Sequence, residues 1–415
     1  MRICFIVGEF PALSETFILN QMTGLMDAGS EVLIFAAGRS RDTIVHEDVV
    51  RHGLLHHTRY PDHAALPWFA RLLKFLVIFP VKVWRTPGPL LRSINVLRFG
   101  KEAWSLDLFF TTLMFLQARE YDIVVCHQGR HGILGLKMKE IGALEGKLVT
   151  VFHVEDLADL VKARKSEALQ RLFSKGDLFL PVSRYAGNKL LELGCPERKV
   201  VVHRMGVDVR QFDVSARRRA GGGKLRILSV ARLIEKKGIT YALEAMPRLG
   251  DLAYEYLVIG DGPLRSELED QVRRLGIMRQ VRFLGAQDSG TIRRYLKDAD
   301  VFLAPSVTGA GGDKEGIPVV LMEAMASGVP VLTTANGAID ELVEDGRTGF
   351  LVPERDPAAL GAKLLALSRS PDSGQAAARA ARALIEEQFN IVTLNQVLLR
   401  LFTRTAYEDG RETPA

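Results

Sequence analysis

Cysteine is scarce: the chain holds three, Cys4, Cys126 and Cys195, among 415 residues. None belongs to a C-x-x-C pair, and Cys4 and Cys126 lie inside apolar, strand-like runs. That excludes a disulfide framework and a thiolate metal site and points to small buried thiols in a reducing compartment. Long apolar runs are missing too. Nowhere do about 20 apolar residues follow one another, so no membrane span is expected. The opening Met1–Gly8 lacks the apolar stretch and small-residue cleavage site of a secretory signal. A cytoplasmic protein is the expectation. Acidic residues vanish between Asp62 and Glu102, where seven basic ones stand instead: Arg71, Lys74, Lys82, Arg85, Arg92, Arg98 and Lys101.

What is present is ordinary globular material, with 47% hydrophobic and 25% charged residues. The length suits two domains of about 200 residues. The net charge of +6 sits in the first half: residues 1–205 carry 27 basic against 21 acidic residues, and residues 206–415 carry 28 of each. An anionic partner is therefore expected to meet the first half.

Short β-branched runs alternate with longer amphipathic ones, the pattern of βαβ units around parallel sheets. Strands are predicted at Arg2–Val7, Glu31–Ala36, Asp122–Cys126, Lys147–Phe152, Asp177–Pro181 and Val200–His203, and again at Leu225–Val230, Tyr254–Ile259, Val281–Leu284, Val301–Ala304, Val329–Thr333 and Gly349–Val352. The fold class is α/β: two Rossmann-like domains facing across a cleft. The first spans 1–215, with a helical insertion at about 63–118 that Pro80, Pro87 and Pro89 divide into short helices. Residues 216–223, Arg- and Gly-rich, form a linker. No aromatic residue accompanies its arginines, so no nucleic-acid partner is expected. The second domain spans 224–373, and helices at 374–415 return to the first.

Glu315-Gly316-Ile317-Pro318-Val319 through Glu323 to Gly328 carries the strongest chemistry. Pro318 suits a helix start and Gly328 a helix end. The amides and dipole at that start suit a diphosphate, and the two glutamates suit the hydroxyls of ribose and sugar on either side. Taken singly, each also reads as a loop or surface glutamate. Arg232 and Lys237 flank a βα turn after the strand Leu225–Val230, where two cations neutralise a diphosphate. Glu235 and Lys236 between them read as solvated charges. Asp298-Ala299-Asp300 resembles a D-x-D metal motif but sits at a helix-to-strand junction. His56-His57 lacks partners at ligand spacing. No metal and no cofactor is expected.

Arg232-x4-Lys237-Gly238, Gly260-Asp261-Gly262-Pro263, Phe283-Leu284-Gly285, Pro305-Ser306 and Glu315-x7-Glu323 together resemble the retaining family-4 glycosyltransferases of GT-B fold. Phe10-Pro11-Ala12-Leu13-Ser14-Glu15-Thr16-Phe17-Ile18 and Gly312-Asp313-Lys314-Glu315-Gly316-Ile317-Pro318 resemble the colanic-acid and amylovoran branch of bacterial exopolysaccharide assembly. The resemblance implies a sugar transfer from a nucleotide-sugar, UDP- or GDP-linked, to a saccharide or lipid-diphosphate-linked acceptor. It implies that Glu323 binds the ribose, that Glu315 meets the donor sugar, and that Arg232 and Lys237 hold the diphosphate. It puts Gly316, Ile317, Pro318, Val319, Gly260, Gly262, Leu284 and Gln287 around the donor. His153, in Phe152-His153-Val154-Glu155-Asp156, matches the family's H-G-x-D with Val154 in the glycine's place. Without the resemblance His153 reads as a structural strand-end histidine. Ser14, Glu15 and Thr16 stand where the family carries its acceptor-side loop, and also read as a helix start. The basic, aromatic-bearing insertion adds peripheral binding to an anionic membrane at the inner face of the cell. Two rivals share the architecture: a nucleotide-sugar epimerase or hydrolase, which works without acceptor, and a non-catalytic nucleotide-sugar-binding partner, which would lack Glu315, Arg232 or Lys237.

Overall fold

The computed structural model describes residues 1–12, 15–40, 45–61, 66–154, 160–161, 166–214 and 223–407. Most of the linker and Ser14, Glu155 and Asp156 lie outside these residues. Two six-stranded sheets are present, with every strand pairing parallel. In the first sheet the strands are β1 (Arg2–Phe10), β2 (Glu31–Arg39), β3 (Thr58–Arg59), β4 (Glu120–His127), β5 (Glu145–Phe152) and β6 (Leu178–Pro181), in the order β3-β2-β1-β4-β5-β6. In the second they are β7 (Leu225–Val230), β8 (Tyr254–Ile259), β9 (Val281–Phe283), β10 (Val301–Ala304), β11 (Val331–Thr334) and β12 (Phe350–Val352), in the order β12-β11-β10-β7-β8-β9.

This is the doubly wound arrangement, in which helices cover both faces and continuous apolar strands are buried between them. Ile3 to Val7 and Ile123 to Cys126 are buried throughout. In each sheet the strand order reverses once, between β1 and β4 and between β7 and β10. The loops leaving those neighbours part company there and open a crevice at the carboxyl ends of the strands.

Three local readings change. Val200–His203 is no strand. It follows β6 through two bonds, Val201 N–H to the Phe179 carbonyl and His203 N–H to that of Pro181. Pro181 has no N–H to continue a ladder, so the pairing stops. The edge strand β3 is two residues long, too short to leave a period in the sequence. Pro80 does not divide the insertion: one helix, Trp68–Val83, runs through it, with Pro80 exposed near its end. Pro87 and Pro89 stand in the first turn of the next helix, Pro87–Ser93, where a missing N–H is harmless.

Two helices close the chain. Pro371–Gln388 lies on the second domain, where Ala377 joins the core around β7 and β8. Ile391–Tyr407 lies on the first, where Leu398 and Phe402 pack among Ile3, Phe5 and Leu25. The crossing point is tied by Val207 N–H to the Phe389 carbonyl and Ile391 N–H to that of Val207.

Candidate active site

The loops at the second crevice hold one another at close range. Gly238, in the left-handed region at φ 63°, lies so near the Pro305 carbonyl that a Cβ would stand 1.9 Å from its oxygen. Gly260 has the same relation to the Ala231 carbonyl, and its N–H donates to Gly285 at 2.8 Å. The glycines are thus required by backbone contact between the loops after β7, β8 and β10. Gln287 donates to the Leu284 carbonyl at 2.7 Å.

Glu315 is buried. The Lys237 ammonium donates to its two carboxylate oxygens at 2.9 and 2.8 Å, and Ser306 Oγ to one of them at 3.3 Å. The Glu315 N–H donates to Asn336 Oδ1 at 2.7 Å. Asn336 Nδ2 in turn donates to Glu354 at 2.5 Å and to Thr308 Oγ1 at 3.0 Å. Burial pushes Glu354 up, but the bonds from Thr308 and Asn336 outweigh it and hold its carboxyl below the usual range. Asn336, Thr308 and Glu354 left no signal in the sequence, because they support Glu315 from three separate loops. Lys236 was read as a solvated charge. It is buried, 3.1 Å from Asp313; the 3₁₀ turn Glu235–Lys237 sends Lys236 and Lys237 inward to the loop before Glu315. Arg232 is exposed.

The helix Val319–Ala326 follows, with Pro318 as its N-cap and Gly328 just past its end at φ 67°. Its cap accepts no side-chain bond, and the N–H groups of Gly316, Ile317, Val319 and Val320 have no partner among the described residues. Unpaired amides at a helix N-terminus suit an anion. Further along that helix, Glu323 is half-buried, and its carboxylate has no hydrogen-bond partner among the described residues. Burial pushes its carboxyl up to about 7, against the pull of Arg293.

The first domain faces these amides directly. A Cβ on Gly316 would lie 3.6 Å from Val154, the residue after His153. His153 directly follows β5, with its Nε2 3.2 Å from Nδ1 of His127, which ends β4. His127 is fully buried, and burial first, then His153 and His131, hold it well below the usual histidine range. The ring of Phe17 lies over His153 with centroids 5.0 Å apart. Thr16 begins the helix Thr16–Asp27, and Glu15 is its N-cap residue without a side-chain cap bond. The resemblance drew attention to the Ser14–Thr16 loop. Just after that loop, Phe17 packs its ring against His153. Asp300 of the D-x-D-like pair accepts the Arg226 N–H at 2.8 Å, which fixes a strand start.

Comparison with known proteins gives the family. Residues 212–384 match the family model described as Glycosyl transferases group 1, and residues 79–211 match Glycosyltransferase Family 4. A putative colanic acid biosynthesis glycosyltransferase of Escherichia coli strain K12 is 36% identical, over 97% of this chain and 99% of its own. The amylovoran biosynthesis glycosyltransferase of Erwinia amylovora is 38% identical, over 98% of this chain and 100% of its own. An Anabaena protein solved with UDP and glucose superposes with a TM-score of 0.73 at 18% identity, covering 97% of this chain and 99% of that one. Sucrose-phosphate synthase from Thermosynechococcus elongatus gives 0.69, also at 18%, covering 97% and 98%. These structures share the GT-B fold, and the relatives in sequence fix the rest: the chain belongs to the group 1, family 4 glycosyltransferases, in the branch of exopolysaccharide biosynthesis enzymes.

Proposed function

We propose that the chain transfers a hexose from a UDP- or GDP-sugar to a saccharide borne on a lipid diphosphate, with retention of the anomeric configuration, in the assembly of a cell-surface polysaccharide. The observation that carries the reading is the cradle of unpaired amides at Gly316–Val320, set against Val154, the residue after His153. The cradle takes the donor diphosphate, with Arg232 and Lys237 beside it. Glu323 accepts the ribose hydroxyls, and Leu284 and Gln287 lie where the base would rest. Glu315, anchored by Lys237 and by the Asn336–Glu354 network, accepts hydroxyls of the sugar from one side, and His153 meets it from the other.

The bond between the sugar's anomeric carbon and the phosphate oxygen breaks as the acceptor oxygen attacks from the same face. The acceptor proton passes to the departing phosphate oxygen, so the chain supplies no nucleophile. Its work is to orient the reactants and to receive charge growing on the leaving diphosphate. This proposal includes no resident metal or cofactor.

A thermal-shift screen of UDP-, GDP-, ADP- and dTDP-sugars tests the donor site; a ligand at 100 times its dissociation constant adds about 2.7 kcal/mol. UDP-sugars come first, since the structure of the Anabaena protein is also described in complex with UDP-glucose. Failure of every nucleotide to stabilise the chain sinks the reading. Free sugar or an epimer released from donor alone, at the rate of the full reaction, would favour the hydrolase or epimerase instead.

A further inference from the structure

The insertion between β3 and β4 departs from soluble-protein design. Its longest helix, Trp68–Val83, contains no buried residue, yet most of its side chains are apolar. At 3.6 residues per turn it has two apolar faces. One, with Leu72, Phe75, Phe79 and Val83, packs on Leu90, Phe109 and Phe110 and makes the insertion's own small core. The other carries Phe69, Leu73, Leu76, Val77 and Val81, continues to Trp84, and faces solvent. Phe69 is 63% exposed, Val77 71% and Trp84 87%. At the helix's other end Trp68 and Trp104, bonded at 3.5 Å, are also exposed. A helix whose apolar surface is wider than the face its own core covers needs a second partner.

We infer that this face enters the interfacial layer of an anionic lipid bilayer. Two features choose that occupant. Lys74 and Arg85 border the apolar stripe and Lys82 stands further round the same side; all three are exposed and have no acidic partner among the described residues. Tryptophan at both ends and cations along the flank are the layout of a helix lying in the membrane surface. A second copy of the chain suits the face less well, because a two-fold contact would set the same cations against each other. No helix of the described residues is long and apolar enough to cross a membrane, so attachment is peripheral. The sequence suggested a basic face over buried apolar residues. The structure buries some of them in the insertion's own core and turns Phe69, Leu73, Leu76, Val77, Val81 and Trp84 outward, so the attachment is hydrophobic first and electrostatic second. It rests on the proposed reading only in explaining why the acceptor would be lipid-borne.

Co-sedimentation of the full chain with vesicles of phosphatidylglycerol and phosphatidylcholine, and of phosphatidylcholine alone, tests it without donor or acceptor present. Because the substituted side chains are exposed, both variants should fold. F69Q/L73Q/V77Q/V81Q is expected to lose at least about tenfold in partitioning. K74E/K82E/R85E is expected to lose the preference for anionic vesicles, about fivefold for each cation or about 1 kcal/mol. High salt should weaken wild-type binding to the level of neutral vesicles and not abolish it. Wild type left in the supernatant with anionic vesicles at low salt overturns the inference. So does sedimentation velocity showing a lipid-free dimer that the glutamine variant dissociates, which would make the face a contact between copies. Nucleotide-induced thermal stabilisation, expected unchanged in both variants, reports separately on the donor site.

Discussion

Glu315 and Lys237 form a buried pair whose members depend on each other. Lys237→Met is expected to leave the carboxylate without its ammonium and to lower kcat by roughly 10²-fold, the scale of losing one stabilising donor in a transition state. Nucleotide affinity should change much less, because charge on the leaving group grows only during reaction. Equal loss in binding and turnover would move Lys237 to the ground state. Glu323 gives a pH prediction. The unfolded chain ionises this group near the ordinary value of about 4.3, whereas burial keeps it protonated up to about 7 in the folded chain. Between the two the unfolded state binds fewer protons, so stability falls as pH rises through that window. Glu323→Gln should flatten the fall and melt above wild type near pH 8, with calorimetry as the measurement. Ribose hydroxyls select the ionised carboxylate, so wild-type nucleotide affinity should rise from about pH 6 to 8 while the variant binds weakly and evenly. His127 is a positioning residue: His127→Phe removes the nitrogen facing His153 while keeping a ring against Phe5. It should lower kcat and shift its pH profile without altering nucleotide affinity.

At the scale of elements, the loop that carries Glu315 is tested by its glycines. Gly337 lies at φ 61° with a hypothetical Cβ 1.9 Å from the Glu315 carbonyl oxygen. Gly337→Ala must displace that backbone, and should lower both Tm and activity. Gly316→Ala places its Cβ at ordinary contact distance, 3.6 Å from Val154, so Tm should hold while the methyl crowds the amide cradle and weakens donor binding. A Gly316→Ala variant that binds nucleotide as wild type does would put the diphosphate elsewhere. In the insertion, Pro80→Ala restores an N–H to the last turn of Trp68–Val83 and should raise Tm, because proline costs a helix interior up to about 3 kcal/mol and the exposed site has no packing to lose.

At the scale of the whole molecule, the cleft is bridged by Glu341. This second-domain carboxylate accepts the N–H groups of Arg184 and Tyr185 at 2.9 and 2.8 Å, at the start of a first-domain helix, Arg184–Glu192. Arg184 and Arg204 stand 3.5 and 3.6 Å away. A charged group at a helix N-terminus and between two guanidinium groups resists separation of the domains. Glu341→Ala is expected to enlarge the radius of gyration in solution scattering, and a saturating donor should reverse part of that change. Identical scattering from wild type and variant, with and without donor, would mean that the tail helix crossing at Phe389–Ile391 alone sets the domain arrangement.

The sequence by itself determined the alternation of strand and helix and the two-domain division of the architecture, and it set Lys237 and Glu315 on loops that meet in the structure. These follow from local periodicity and from loops that leave neighbouring parallel strands. It did not determine which charges are buried: Lys236 reads as a solvated charge beside Lys237, and only the close approach of the loops after β7 and β10 sends both inward. Nor did it reveal Asn336, Thr308 and Glu354, whose bonds join residues far apart in the chain. His127 reached His153 because β4 and β5 are adjacent in register, which no motif records. The outward turn of Phe69, Val77 and Trp84 was likewise decided by tertiary packing: the helix is apolar over more of its circumference than the insertion's core covers.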